Sequence, residues 1–347
     1  MGLGHRLGLG RIAREAGRWI PPALLRHAGQ PAALFFHGVE PGTRDPLLQT
    51  NHHEVAHFRA ILTGLKRHGF KVLPLEAIDD VLARPERHGR SVFLMSDDGY
   101  RNTLTIAADI LEEFAMPWTL FVSTAHIGTG LPNPIFLSWL FFMRAPAGAY
   151  QLPHFPQVMQ LDDAQSREKW ARFGSDHLRF LPAHQAEETV AVMRQAFAPE
   201  KLAVLLAEFS SEHFLDWDEV RALAARGVTI GGHADTHWPM HGAQDDDWLR
   251  AQAIAARQKI EREVGPCRFF AYPFGNKPDV GAGAWRAVRD AGFSHAFTTL
   301  SGSLTARDNP WLLPRYGLGP TDSHVASLVP LLAAGNSRLR AWQASLA

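Results

Sequence analysis

The chain has 347 residues, of which 46% are hydrophobic, enough to build one large α/β domain or two smaller ones and too many for a disordered or fibrous protein. Lys plus Arg and Asp plus Glu number 35 each, so the formal charge is zero and the basic footprint of a nucleic-acid binder is missing; no nucleic-acid partner is expected. The lone Cys267 excludes an intrachain disulfide framework and agrees with a reducing compartment.

The first thirty residues read as a basic N-terminal extension. Arg6, Arg11, Arg14, Arg18 and Arg26 fall among short apolar stretches with no continuous apolar run and no small-residue cleavage site, so a cytoplasmic protein is expected. A first strand is predicted at Ala32 to His37. A helix over about Val55 to His68 follows, with Val55, Phe58, Ile61, Leu62 and Leu65 at helical spacing and Gly69 as its stop. Further strands are predicted at Lys71 to Leu75, Ser91 to Ser96, Trp118 to Ser123, Val228 to Gly232, Arg268 to Tyr272 and Ser294 to Thr298. Helices fit between them at Asn102 to Phe114, Trp217 to Arg226, Trp248 to Val264 and Ala284 to Ala291.

About seven strands alternating with helices predict a parallel sheet curled into an irregular (β/α)7 barrel over residues 31–320. A C-terminal helical extension is placed at 321–347. The interval from Gly128 to His213 breaks the rhythm and reads as a mostly helical insertion between the fourth and fifth predicted strands. Insertions at strand ends of a barrel become lids or substrate walls. Within it, Ile135 to Met143 is apolar but half the roughly 18–20 residues that span a bilayer, which predicts a buried helix. Its alternative is an exposed surface making peripheral membrane contact, helped by the arginines of the N-terminus.

Three predicted strand ends carry chemistry-bearing residues: Ser96-Asp97-Asp98-Gly99, the run His233-Ala234-Asp235-Thr236-His237, and Tyr272-Pro273-Phe274-Gly275. In α/β barrels the loops after the strands open on one face, so these three converge there. A catalytic metal site takes about three protein ligands and leaves one position open. Asp98, His233 and His237 supply such a set, and Asp97 beside it is free to take a proton from the attacking water. Each motif alone has a plainer reading: the Asp pair as a cap on the following helix, and any of the 18 histidines as a surface or core residue. The coincidence of three loops favours the site.

These residues resemble the polysaccharide deacetylase family, also called carbohydrate esterase family 4, with the NodB homology fold, in its exopolysaccharide-deacetylase-like branch. The family's Thr-Phe-Asp-Asp-Gly motif is similar to Met95-Ser96-Asp97-Asp98-Gly99, its His-Ser/Thr-x-x-His motif to His233 through His237, and its Arg-x-Pro-Tyr-Gly motif to Ala271 through Gly275. The similarity extends over Ala32 to Gly319 outside the insertion. It implies a metal-dependent hydrolase removing N-acetyl groups, in preference to O-acetyl groups, from an acetylated carbohydrate or glycoconjugate. Asp97 is then the base, and Asp98, His233 and His237 hold one divalent ion, zinc by default, with Co, Ni and Mn fitting the same ligands. The backbone near Phe274 would stabilise the oxyanion.

Three departures stand out. Ala234 replaces the hydroxyl residue of the His-Ser/Thr-x-x-His motif, Ala271 replaces the motif arginine that orients the base, for which Arg315 is the candidate substitute, and the family's late histidine motif, source of the general acid, is missing. His295, His37 and His126 near predicted strand ends are candidates for the acid, with His295 assigned to catalysis and His37 to the substrate side. Tyr272, Pro273, Phe274 and Trp238 are assigned to substrate binding, and Trp139 joins Trp238 and Phe274 as a candidate apolar wall for a sugar face. The rival readings are hydrolysis of a non-sugar amide and a metal-retaining glycan binder without turnover. The sequence leaves the oligomeric state open.

Overall fold

The computed structural model describes residues 30–42, 45, 47–320 and 337–346. The basic N-terminal extension through residue 29 and residues 321–336 lie outside the described residues. Seven parallel strands form the barrel: β1 (Ala32–Phe36), β2 (Ser91–Ser96), β3 (Trp118–Val122), β4 (Thr229–Gly232), β5 (Phe269–Ala271), β6 (His295–Phe297) and β7 (Tyr316–Gly317). They pair in the order β6-β5-β4-β3-β2-β1-β7. The segment leading into β7 returns to β6 through a parallel bridge between Phe297 and Leu313, while Tyr316 pairs with Leu34, and the ring closes there.

The ring differs from the sequence reading in one strand. Lys71–Val72 pairs with the lower end of β2, at Ser91 and Val92, and is not one of the seven staves. The stave missing from the prediction is β7, only two residues long. The insertion therefore follows the third barrel strand rather than the fourth.

Side chains alternate cleanly across the barrel wall, as the two-residue period of a strand requires. Ala33, Phe93, Met95, Phe121, Phe269, Ala271 and Phe297 point inward and form the barrel's own core. Leu34, Phe36, Val92, Leu94, Leu120, Val122, Phe270 and Ala296 point outward under the helices. Because both faces are covered, the strands read as near-continuous apolar runs. Each interior phenylalanine contributes roughly 1.5–3 kcal/mol by burial. Gly231 lies on the inward parity, where a Cβ would sit 2.5 Å from the Phe121 ring, so the absence of a side chain makes room for that core residue.

Helix α1 (Val55–Arg67) buries Phe58, Ile61, Leu62 and Leu65, one apolar stripe, against the outer face. It ends where Gly69 turns to φ +72 and Phe70 N–H bonds back to Leu65, a closure that satisfies the last carbonyls. The helix predicted from Asn102 begins as a π-turn at Thr103–Ala107 and continues as α2 (Ala108–Glu113). The insertion contributes α3 (Pro134–Arg144), α4 (Ala164–Phe180), α5 (Ala183–Gln195) and α6 (Pro199–Glu208). These helices build a second core in which Phe136, Leu137, Leu140, Phe141 and Phe142 of α3 are buried, so the apolar run packs inside the protein. No helix among the described residues is long and apolar enough to cross a membrane. The barrel resumes with α7 (Trp217–Ala225), α8 (Asp246–Glu263) and α9 (Ala282–Asp290), and α10 (Ser337–Ser345) follows the last strand.

Candidate metal centre at the barrel mouth

Strand register sets the site. Phe36 pairs with Ser96, Ser96 with Leu120, Val122 with Gly232 and Ala271 with Phe297, so the residues that follow these pairs emerge together at the C-terminal mouth. Asp97 continues the inward parity of Phe93 and Met95, and His233 that of Gly231. Four of the seven non-glycine residues with positive φ among the described residues gather here: Asp98 (+77°), Ala234 (+57°), His237 (+61°) and Phe274 (+60°). Such left-handed backbone is costly for residues with a Cβ and concentrates at functional sites. Gly99, at φ +93°, completes the first turn against Val122 and Ile127.

Asp98, His233 and His237 each offer one ligand atom, all within 4.8 Å of one another and all buried. Asp98 Oδ1 lies 2.9 Å from His237 Nε2 and 3.2 Å from His233 Nε2. His233 Nδ1 lies 2.8 Å from the Ala271 carbonyl, which can only accept, so that nitrogen carries a proton. Asn133 Oδ1 is committed to the Ile135 amide, so its Nδ2 donates to His237 Nδ1 (3.1 Å) and His237 carries its proton on Nε2. Burial alone would push the Asp98 carboxyl up, but the two histidines hold it well below the usual carboxylate range. Burial likewise opposes charge on His233, and Asp97 and Asp98 overcome it, raising its pKa. The cluster therefore asks for positive charge between its three ligand atoms, which protons supply here and a cation fits.

Asp97 is held separately. Arg315, fully buried, donates Nη1 and Nη2 to the two Asp97 oxygens at 2.7 and 2.8 Å and Nε to the Thr298 carbonyl at 3.0 Å. Its guanidinium stacks 4.4 Å over Phe35. Against the upward push of burial, this charge holds Asp97 below the ordinary carboxylate value, ionised and acceptor-only. A cavity of about 370 Å³ opens over both aspartates, lined also by His37, Leu48, Phe136, Trp139, Glu212 and Phe274.

The profile of the polysaccharide deacetylase family matches residues 84–296, about three fifths of the chain. This chain belongs to the polysaccharide deacetylase family. As a member it is a deacetylase-type hydrolase acting on carbon–nitrogen bonds outside the peptide class. Similar solved structures include IcaB from Ammonifex degensii (15% identity, TM-score 0.57, 88% of this chain and 98% of that one) and the Streptococcus pyogenes deacetylase PplD in complex with acetate (14% identity, TM-score 0.56, 87% and 98%). At these identities the likeness establishes the fold, an irregular (β/α) barrel of the NodB type. Comparison with curated proteins finds no match.

Against that family frame, the expected ligands and base lie together, and Arg315 meets the base from the segment preceding β7. Of the residues assigned to substrate, His37 and Phe274 line the cavity, whereas Tyr272, Pro273 and Trp238 do not. Tyr272 lies on the outward parity of Phe270, fully buried, its hydroxyl donating to the Trp311 carbonyl. Trp238 turns away into the core of the insertion. The catalytic assignment of His295 is corrected: it opens β6, at the opposite mouth of the barrel, against the Phe269 ring and 3.5 Å from Asp79. His126 is buried against Phe214 and faces a separate apolar pocket, burial lowering its pKa to about 4. His37 is thus the one acid candidate of the three that reaches the cavity.

Sequence reasoning missed the residues by which the insertion grips the site. Arg179, in the last turn of α4, makes a two-pronged ion pair with the fully buried Asp279 carboxylate and lies 4.7 Å over the Phe274 ring. Asp279 in turn accepts from the Asn276 amide in the same loop. Asn133 caps α3 and touches His237, and Glu212 brings a third carboxylate to the cavity. The cap signal Asn133-Pro134 was visible in the sequence; the partners across 100 or more residues were not.

Proposed function

We propose that the chain is a metal-dependent deacetylase that releases acetate from an N-acetylated carbohydrate or glycoconjugate. The observation that carries this reading is one cavity holding a buried Asp-His-His cluster that calls for a cation beside a carboxylate kept ionised by Arg315. Asp98, His233 and His237 would hold one divalent ion, with zinc favoured by two imidazoles and one carboxylate and Co, Ni or Mn fitting the same set. Such an ion, when bound, supplies Lewis acidity toward the acetyl carbonyl and lowers the pKa of water.

The remaining work falls to side chains. Asp97, acceptor-only and fixed by two charge-assisted hydrogen bonds, takes the proton of the attacking water. His37 lines the same cavity and is the group placed to pass a proton to the leaving nitrogen. Burial lowers its pKa and keeps the resting ring neutral, so the proton it passes to the leaving nitrogen would be the one that Asp97 removes from the water, which returns Asp97 to its ionised form. Phe274, Phe136 and Trp139 give the cavity an apolar wall suited to a sugar face and an acetyl methyl.

Acetate release from a panel of N-acetylated oligosaccharides, sugar nucleotides, O-acetylated sugars and small non-sugar amides, with metal content measured, tests the reading. Metal-dependent turnover of N-acetylated sugars is expected. Turnover confined to non-sugar amides, or glycan binding without acetate release, would replace it.

A further inference from the structure

Besides Asp97 and Asp98, Glu212 is the acidic side chain that lines the cavity among the described residues, and the insertion supplies it from the Ser210–Glu212 turn. Only 3% of Glu212 is exposed. Its Oε1 accepts from His52 Nε2 at 2.7 Å, and Ser211 Oγ stands 3.4 Å from the same oxygen. Its Oε2 has no partner among the described residues. That oxygen keeps contact with the cavity rather than being sealed in protein, so its hydrogen-bond donor comes from what the cavity holds, water or a bound ligand.

The arrangement behind Glu212 is built. His52 is buried, and Asn102 Nδ2, a pure donor, sits 3.0 Å from its Nδ1 and 2.7 Å from Glu40 Oε1. The His52 proton facing Glu212 is therefore on Nε2, and Glu212 Oε1 accepts from it. Gly38 makes room for this ring: a Cβ there would lie 2.0 Å from His52 Nδ1. From the other side, Gln49 Nε2 donates to Ser211 Oγ at 2.6 Å and ties down the turn. None of these residues belongs to the ligand set or to the Asp97–Arg315 pair.

We infer that Glu212 is a specificity-determining residue whose free carboxylate oxygen accepts a hydrogen bond from a donor on the saccharide bound in the cleft. The donor is a hydroxyl group or the ammonium of a sugar already deacetylated; both share the chemistry of an O–H or N–H directed at a fixed anion. The identity of the ligand as a saccharide rests on the deacetylase reading above. The role itself rests on the unpartnered oxygen.

The test compares Glu212→Gln with the parent protein. The change is isosteric, and the Gln carbonyl still accepts from His52. In an Asp97→Asn background, which binds without turning over, calorimetry would use a β-1,4-linked N-acetylglucosamine pentasaccharide and its fully deacetylated counterpart. Loss of a charged acceptor should weaken binding about tenfold. In the active protein the loss should appear as a raised KM with a much smaller change in kcat. Glu212→Asp, which draws the carboxylate back by one methylene, should show the same direction and serves if the Gln variant does not fold.

Equal weakening of both glycans supports the inference with a hydroxyl as donor; weakening of the deacetylated glycan alone supports it with ammonium. Unchanged affinity for both, or a parent protein that binds neither, overturns it. Acetate release with an unchanged KM in Glu212→Gln would remove the Glu212 role and leave the deacetylase reading standing. Glu212-dependent binding in a protein that releases no acetate would do the reverse.

Discussion

Replacing Arg315 with Met is the most informative perturbation of the site. The side chain is fully buried, and its loss strands three acceptors at once: both oxygens of Asp97 and the Thr298 carbonyl. Methionine fills much of the volume between Phe35 and Phe121, so packing loss is minor and the cost is electrostatic. Breaking a buried ion pair from one side costs about 3–5 kcal/mol, because the remaining charge loses its partner in a site mostly walled off from bulk water. The group then escapes by neutralising. With the guanidinium gone, burial becomes the dominant influence on Asp97, and its pKa rises instead of falling.

Two measurements follow. Urea unfolding at neutral pH should show the destabilisation, and the acid limb of the pH–rate profile, which reports the base, should move to higher pH. The sign is fixed by linkage. An aspartate with a depressed folded pKa contributes stability above its unfolded value and loses it as pH falls through the folded value, so Arg315→Met should erase that part of the wild-type pH dependence. Arg315→Met/Asp97→Asn should recover part of the lost stability, since a neutral amide tolerates the apolar neighbour. A single variant within about 1 kcal/mol of wild type, where a broken buried pair should cost several, together with an unmoved acid limb, would refute the argument that Arg315 maintains the charge of the base.

Asp97→Asn should retain a bound ion and lose acetate release at least about 100-fold, the usual scale for a missing general base; near-normal turnover would assign water activation to another group. His237→Ala should strip most of the metal, read by elemental analysis after dialysis, and stoichiometric metal at normal affinity would remove His237 from the ligand set. Because Asp97 and Asp98 raise the pKa of His233 against burial, an ion must displace a proton there, and affinity measured by chelator competition should rise between pH 6 and pH 8 by up to roughly tenfold per unit for each proton released. In the metal-free protein, the same raised pKa gives stability that is full below the unfolded histidine value of 6.5 and is lost as pH climbs through the folded one; flat stability over that range would contradict it. Arg179→Ala leaves the buried Asp279 carboxylate unpaired and should cost roughly 3 kcal/mol on unfolding while raising KM through a loosened Phe274; an unchanged KM would make the clamp purely structural.

The barrel was legible because both faces of its strands are covered, which writes them as apolar runs such as Ser91–Ser96. β7 was not, because two residues carry no pattern and its position follows from register with Leu34. The candidate ligands and the candidate base were legible because such chemistry is confined to a few residue types, here gathered at strand ends. Tyr272 was misread for a reason the sequence did contain: Phe269 and Ala271 set the inward parity, so Tyr272 had to face the helices. His295 shows the opposite error, since a histidine near a strand is at the working mouth only if it follows the strand.

What the strand-end motifs do not encode is how the insertion is joined to them. The apolar segment at the start of α3 walls the cavity with Ile135, Phe136 and Trp139, while the residue that caps this helix, Asn133, also donates to His237. For His237 to present Nε2 to a cation, the ring must give up its Nε2 proton or move it to Nδ1, and Asn133 faces that second nitrogen with a donor. The amide cannot turn its oxygen toward His237 without releasing the Ile135 amide at the first turn of α3. Ligand protonation and the position of the substrate wall are therefore coupled through one side chain. Deleting Ile135 to Met143 would not separate them, because the same helix carries Leu140, Phe141 and Phe142 in the insertion's core. The separable contributions of the insertion are single side chains at its inner edge, where Arg179 packs over Phe274 and Glu212 sets a carboxyl group on the cleft.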